Sequence, residues 1–160
     1  MNNLTFRSFY FYPLTFIFFF IDIILNGYFE KQIIQILLCF LILSSIKKPA
    51  ISATCSALIM LSLESCLFYG KFGFDLAIII PFIFIARNLN KLFTMPYLIA
   101  NFLILTYLFL RIFILEKLIL GFNLSLNYTF LLIFVNIIVS VILKLLIQGG
   151  PGNRLHFNKI

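Results

Sequence analysis

Two acidic residues interrupt long apolar stretches and are the first candidates for chemistry. Glu64 lies near the end of one apolar stretch, and Asp75 begins the next one, just after a turn bounded by Gly70 and Gly73. Because a charge in the hydrocarbon core of a membrane is costly, such residues often mark functional sites. Catalysis by two carboxyl groups also needs a nucleophile or a metal site beside them, and this sequence supplies neither. It predicts either a polar patch that binds a partner or a ligand, or interfacial carboxylates that contact water and pair with Lys71 or Arg111.

The other residue types that carry enzyme chemistry are scarce. Cys39, Cys55 and Cys66 lie in apolar stretches without a Cys-x-x-Cys spacing, and the only histidine is His156. A metal site or a disulfide framework requires a closer clustering of such residues. The sequence also has no glycine-rich phosphate loop and no nucleophile motif. We therefore expect a protein that is not an enzyme and that uses no cofactor.

These residues belong to a chain that is too apolar for water. Of its 160 residues, 63% are hydrophobic and 11% are charged, whereas soluble domains have roughly 45–50% and about 25%. The apolar stretches are continuous and lack the apolar–polar alternation of a membrane β-barrel. The sequence therefore predicts an all-α, polytopic integral membrane protein and excludes a water-soluble enzyme.

Six transmembrane helices fit between the charges, prolines and glycines of the chain. At about 20 residues per crossing, they leave no room for a soluble domain. We expect one transmembrane domain, residues 1–148, followed by a short basic cytoplasmic tail, residues 149–160. The predicted spans form one bundle and cover residues 10–26, 32–46, 50–69, 74–86, 95–115 and 127–146.

The basic residues predict the orientation of this bundle. If the N-terminus is cytoplasmic, eight of the twelve Lys and Arg residues fall on the cytoplasmic side, and all five acidic residues fall at or towards the other side. Because cytoplasmic loops are enriched in Lys and Arg, we expect both termini in the cytoplasm. This topology already explains the net charge of +7. The expected partners of the basic residues are therefore anionic membrane lipids and not nucleic acid.

The third predicted span is rich in small residues, and such residues let membrane helices approach closely. Residues spaced by four lie on one helix face, so this strip predicts a packing surface and a central position for the helix in the bundle. The strip consists of Ser52, Ala53, Ser56 and Ala57. Asn101 and Asn136 lie deep in the last two spans, and we expect them to hydrogen-bond neighbouring helices.

The middle third of the chain resembles a known family. A basic, proline-containing segment, residues 47–49, precedes the small-residue helix, which has Glu64 near its end. The glycine-bounded turn, residues 70–73, then precedes an apolar helix that closes with Arg87 and Lys91. This order resembles the central region of the MreD family, membrane proteins that determine rod shape in bacteria. Overall length, six spans and little soluble mass are similar as well.

The resemblance implies a non-enzymatic component of lateral cell-wall synthesis in the bacterial cytoplasmic membrane. Such a protein binds an MreC-type periplasmic scaffold, and the patch around Glu64 and Asp75 is then a contact surface. The alternative is a substrate-binding S component of an energy-coupling-factor vitamin transporter, a class that is similar to the MreD family in fold. That alternative implies a small-molecule substrate together with ATPase and transmembrane subunits. The side chains that would line its pocket are Glu64, Asp75, Asn101 and Arg111.

Overall fold

The computed structural model describes residues 3–29, 33–47, 49–69, 74–114 and 126–148 of the chain. Every regular element in these ranges is helical, as the sequence predicted. The helices are α1 (Asn3–Phe29), α2 (Ile36–Ser45), α3 (Ile51–Tyr69), α4 (Phe74–Leu92), α5 (Pro96–Arg111) and α6 (Leu126–Gln148). Residues 112–114 continue α5 as a π-helical turn.

Four of these helices, α1, α3, α5 and α6, are long and apolar enough to cross a membrane by length and composition. The apolar parts of α2 and α4 are shorter, Ile36–Ser45 and Leu76–Leu89. At a rise of 1.5 Å per residue, α2 is only about 15 Å long, half the thickness of a hydrocarbon core. The structure therefore supports a helical membrane protein. The apolar parts of α2 and α4 are shorter than those of the four helices of spanning length.

The shortest helix, α2, is the centre of the bundle. The other five helices all pack against it and follow one another around it in the order α1, α3, α4, α5 and α6. Its residues Leu37 to Ser45 are all buried. The prediction that α3 is the central helix is therefore wrong. The physical reason is that α2 is apolar on nearly every side, which is typical of a helix surrounded by protein.

The small residues of α3 divide between the interior and the surface. Ala53 and Ala57 have no exposed area, and α3 packs against α1, α2 and α4. Ser52 is exposed, and its hydroxyl accepts a hydrogen bond of 2.9 Å from the Tyr12 hydroxyl of α1. Ser56 is half-buried and donates to the Ala53 carbonyl within its own helix. The close contacts of this strip are therefore made by its two alanines.

Candidate functional site

The backbone just before α2 needs hydrogen-bond partners from elsewhere in the molecule. Residues 33–35 are not helical, and Gln35, the N-cap residue, makes no capping bond with its own side chain. The first turn of any helix leaves backbone N–H groups without partners inside that helix. Because Ile33, Gln35 and Leu37 are buried, water does not satisfy these groups. We call residues 33–35 the lead-in of α2.

Asp22 of α1 caps the first turn of α2. Its two carboxylate oxygens accept hydrogen bonds from the backbone N–H groups of Ile36 (2.9 Å) and Leu37 (2.8 Å). Asp22 has no exposed area. A negative charge at this position also interacts favourably with the positive end of the helix dipole. Asp22 therefore supplies, from another helix, the cap that Gln35 does not provide.

Asn26 of α1 holds the lead-in one turn away from Asp22. Its Oδ1 accepts the N–H groups of Ile33 (2.9 Å) and Ile34 (2.8 Å), and its Nδ2 donates to the Ile34 carbonyl (2.6 Å). The spacing of four between Asp22 and Asn26 places both on one face of α1. This face accepts the N–H groups of four of the five residues 33–37, all except Gln35.

Asn136 of α6 completes the arrangement from the other side. Its Oδ1 accepts the Gln35 N–H (2.9 Å), and its Nδ2 donates to the carbonyls of Ile33 and Leu132, each at 2.8 Å. The prediction that Asn136 bonds a neighbouring helix is confirmed. Together, Asp22, Asn26 and Asn136 form what we call the lead-in network.

Glu64 lies beside this network and inside the bundle. It has no exposed area, and its Oε1 accepts a long hydrogen bond of 3.4 Å from Asn26 Nδ2. The expectation of a carboxylate in contact with water is therefore wrong for Glu64, because the residue faces α1 instead of the surface. Arg111, at the end of α5, is 1% exposed and is likewise interior. Both residues have interaction partners in the structure.

The rest of the predicted patch is described only in part. Gly70 and Gly73 lie outside the described residues. Asp75 belongs to the first turn of α4, but its side chain is also outside the described part of the chain. The Oδ1 atom of Asn101 is buried and has no hydrogen-bond partner, and the same is true of Nε2 of Gln35. The structure thus places Glu64 against the face of α1 that carries Asn26. The predicted patch as a whole stays a prediction.

The network fits a structural role better than a chemical one. The hydrogen-bonding atoms of Asp22 and Asn136 are occupied by the backbone around α2. Among the described residues, no three or more His, Cys, Asp or Glu side chains are grouped so as to hold a metal ion. Sequence reasoning missed Asp22, Asn26 and Gln35 as members of this site. The spacing of Asp22 and Asn26 in an apolar span was the available signal.

The opposite end of the bundle is held by cations. Lys47, just after α2, donates from Nζ to the Ile147 carbonyl of α6. Arg87 of α4 donates from Nη1 to the Pro49 carbonyl (3.3 Å) and to the Thr54 hydroxyl of α3 (3.4 Å). These bonds connect helix ends that are far apart in sequence and satisfy carbonyl groups there.

The described residues form a helical bundle in which four helices are of membrane-spanning length. Its central helix, α2, is short and is capped by a side chain from α1. Comparisons of the chain with protein-family models, curated proteins and solved structures find no match. The contacts described above are therefore the basis for a proposal about function.

Proposed function

We propose that the chain is an integral protein of a bacterial cytoplasmic membrane that crosses it six times, with both termini cytoplasmic. It acts without catalysis, by binding partner proteins, in the manner of the MreD family. The observation that carries the proposal is the use of the buried acidic and amide groups. Asp22, Asn26 and Asn136 hydrogen-bond the backbone around α2, and this structural use of the groups supports a role without catalysis.

Six crossings are consistent with the contacts of α2. The lead-in meets Asn26 near one end of α1, whereas Phe40 of α2 packs against Phe11 and Phe18 (ring centroids 5.1 and 5.0 Å apart). The lead-in and α2 therefore retrace α1 from Asn26 back towards Phe11, a rise of about 22 Å along α1. The 19 residues of α4 extend about 28 Å. Lead-in and helix together extend further along α1 than α2 does alone, which supports the proposal of six crossings.

The orientation is open to a direct test with cysteine substitutions. The exposed residues Tyr28 and Met95 lie at opposite ends of the bundle, at the end of α1 and just before α5. In whole cells, a membrane-impermeant maleimide should label Tyr28→Cys, in a background without the native cysteines. It should label Met95→Cys only after lysis. The reverse pattern would invert the proposed topology.

A partner at the end of α1 would contact exposed aromatic residues and not the buried charges. Tyr28 is 85% exposed and Phe29 47%, and their rings meet edge to face at 5.5 Å. Tyrosine is enriched among the residues that contribute most to protein–protein binding. Glu64 and the lead-in network then act indirectly, because they fix the end of α1 against α2 and α3. An MreC-type periplasmic scaffold is the partner that we propose for this surface.

The experiment is affinity purification of the tagged protein in a mild detergent, with partners identified by mass spectrometry. We expect a coiled-coil periplasmic protein and components of the wall-synthesis machinery. Tyr28→Ala should reduce their recovery about tenfold, as for an important interface residue. Phe16→Ala is the matched control, since Phe16 is a half-exposed aromatic residue of the same helix (51%) that lies far from its end. Equal recovery with both variants would rule out the α1 end as the binding surface.

A second candidate function, capture of a small molecule as in S components, is favoured by one observation. Nε2 of Gln35 is buried without a hydrogen-bond partner beside the lead-in network. An unsatisfied buried donor costs about 1–3 kcal/mol, which a ligand with an acceptor oxygen would recover. The same purification separates the two functions. Recovery of an ATPase with a transmembrane subunit, in place of a scaffold protein, would support transport and contradict the assembly proposal.

A further inference from the structure

The carboxyl groups among the described residues lie towards one end of the bundle. Asp22 and Glu64 lie towards the end where α1 and α3 terminate, and Asp75 is in the first turn of α4 at that same end. The other end, where α2, α4 and α6 terminate, has only cations among its described charged residues. They are Lys47, Arg87, Lys91 and Lys144. A negative ligand therefore meets no carboxylate repulsion from the described part of this end.

Lys91 differs from the other cations of this end in its surroundings. Lys47 and Arg87 donate to backbone carbonyls, whereas Lys91 is exposed in the last turn of α4. It lines an open cavity of about 540 Å³ between α4 and α5. The remaining lining residues are Leu92, Phe93, Thr94 and Pro96. The Lys91 ammonium group and the Thr94 hydroxyl thus line the same cavity as the apolar side chains.

The end of α4 and the connector to α5, residues 93–95, are too apolar for a surface that faces only water. Leu92, Phe93 and Met95 are all exposed, at 65%, 49% and 67%. Apolar side chains next to a lysine are typical of segments at the boundary between headgroups and acyl chains, where the lysine stem lies along apolar surface and its ammonium group reaches the headgroups. The residues around this cavity therefore have the composition of a segment at the level of phospholipid headgroups.

We propose that this cavity binds the phosphate of an anionic phospholipid from the surrounding bilayer. The Lys91 ammonium group pairs with the phosphate, the Thr94 hydroxyl donates a hydrogen bond to it, and Phe93 packs against the glycerol and upper acyl carbons. Free phosphate shares the first two interactions, but it makes no use of the exposed apolar residues. The site is therefore assigned to lipid. It is independent of the partner that binds at the end of α1.

The experiment uses a single fluorescent reporter in the full chain. The protein has no tryptophan, so Met95→Trp places the only one in the connector, at an exposed residue that does not line the cavity. Quenching of this tryptophan is measured in vesicles that contain either brominated phosphatidylglycerol or brominated phosphatidylcholine. A basic residue near an anionic membrane surface contributes enough attraction to enrich the anionic lipid about fivefold at the reporter.

Charge variants in the Met95→Trp background show whether Lys91 causes the enrichment. Lys91→Gln should remove it and Lys91→Arg should retain it. Lys144→Gln is the matched control, because it removes a charge from α6, which does not neighbour α4 in the ring around α2. Thermal unfolding of each variant checks folding, and lipid retention in native mass spectrometry provides a second readout.

Three results would overturn the proposal. The first is equal quenching by the two lipids, and the second is an equal loss of enrichment with Lys91→Gln and Lys144→Gln. The third is loss of enrichment on addition of inorganic phosphate but not of chloride at equal ionic strength, because the cavity would then be a site for soluble phosphate. Retained enrichment in phosphate supports the lipid.

Discussion

Asp22 offers the sharpest test of the lead-in network, because one side chain satisfies two buried backbone groups. In the wild-type protein, the Asp22 carboxylate oxygens lie 2.9 Å from the Ile36 N atom and 2.8 Å from the Leu37 N atom. Asp22→Ala removes both acceptors. Asp22 has no exposed area and Leu37 none either, so water cannot replace the carboxylate without opening the bundle. Leaving a buried donor unsatisfied costs about 1–3 kcal/mol, so two donors cost about 2–6 kcal/mol.

The effect of Asp22→Asn follows from the same geometry. Asparagine retains one acceptor oxygen for one of the two N–H groups, but it turns its own amide N–H groups towards the other. The loss should therefore lie between wild type and Asp22→Ala, at about 1–3 kcal/mol.

The assay is equilibrium unfolding of the purified protein in mixed micelles, titrated with dodecyl sulfate and followed by circular dichroism. Thr15→Ala is the matched control. Thr15 is a polar residue of the same helix and is buried to the same degree, but its hydroxyl donates only to the Phe11 carbonyl of its own helix. Its loss leaves no backbone N–H unsatisfied, so we expect less than about 1 kcal/mol. If Asp22→Ala destabilises the protein no more than Thr15→Ala, the capping role of Asp22 is refuted.

Three further predictions concern residues at and near the network. Asn136→Leu should lower the free energy of unfolding by about 1–3 kcal/mol in the same titration. Asn88→Leu is the control and should have little effect, because the Asn88 amide donates only within α4. Equal losses with the two variants would contradict the cross-helix role of Asn136. Glu64→Leu should leave the protein inserted but reduce partner recovery in the affinity purification, and Glu64→Gln should reduce it less; unchanged recovery with Glu64→Leu would make Glu64 a purely structural residue. In single-cysteine variants, a lipid-soluble maleimide should label the exposed Cys55 rapidly and the buried Cys39 only as dodecyl sulfate unfolds the bundle. Comparable labelling rates for Cys39 and Cys55 in the folded protein would mean that α2 is not central.

The positions of the helices followed from the sequence because their causes are local. Continuous apolar stretches end at charges and glycines, and the structure has a helix at each predicted span. The differences are also local in origin. Gly27 does not end α1, which runs to Phe29, because a single glycine lowers helix stability by only about 1 kcal/mol. Likewise, Arg87 continues α4 as far as Leu92 instead of ending it.

The lead-in network could not be derived in the same way, because it depends on contacts between helices. Nothing within residues 33–37 indicates that their N–H groups meet Asp22, Asn26 and Asn136. Two polar residues four apart in the first span did indicate a polar helix face. Which helix this face meets depends on how α1 rotates against its neighbours, and apolar spans constrain that rotation weakly. The interior position of Glu64 was missed for the same reason.

The central position of α2 has a consequence for how the protein is made. Its lead-in requires Asn136, which lies 101 positions after Gln35 in the chain. At about 5–20 residues per second, the ribosome needs about 5–20 s to synthesise that interval. During this time Asn26 can already hold its part of the lead-in and Asp22 the first turn of α2, but the Gln35 N–H has no acceptor from α6. The hydrogen bonds between α6 and the lead-in can therefore form only after α6 has been synthesised, however early the rest of the network is in place.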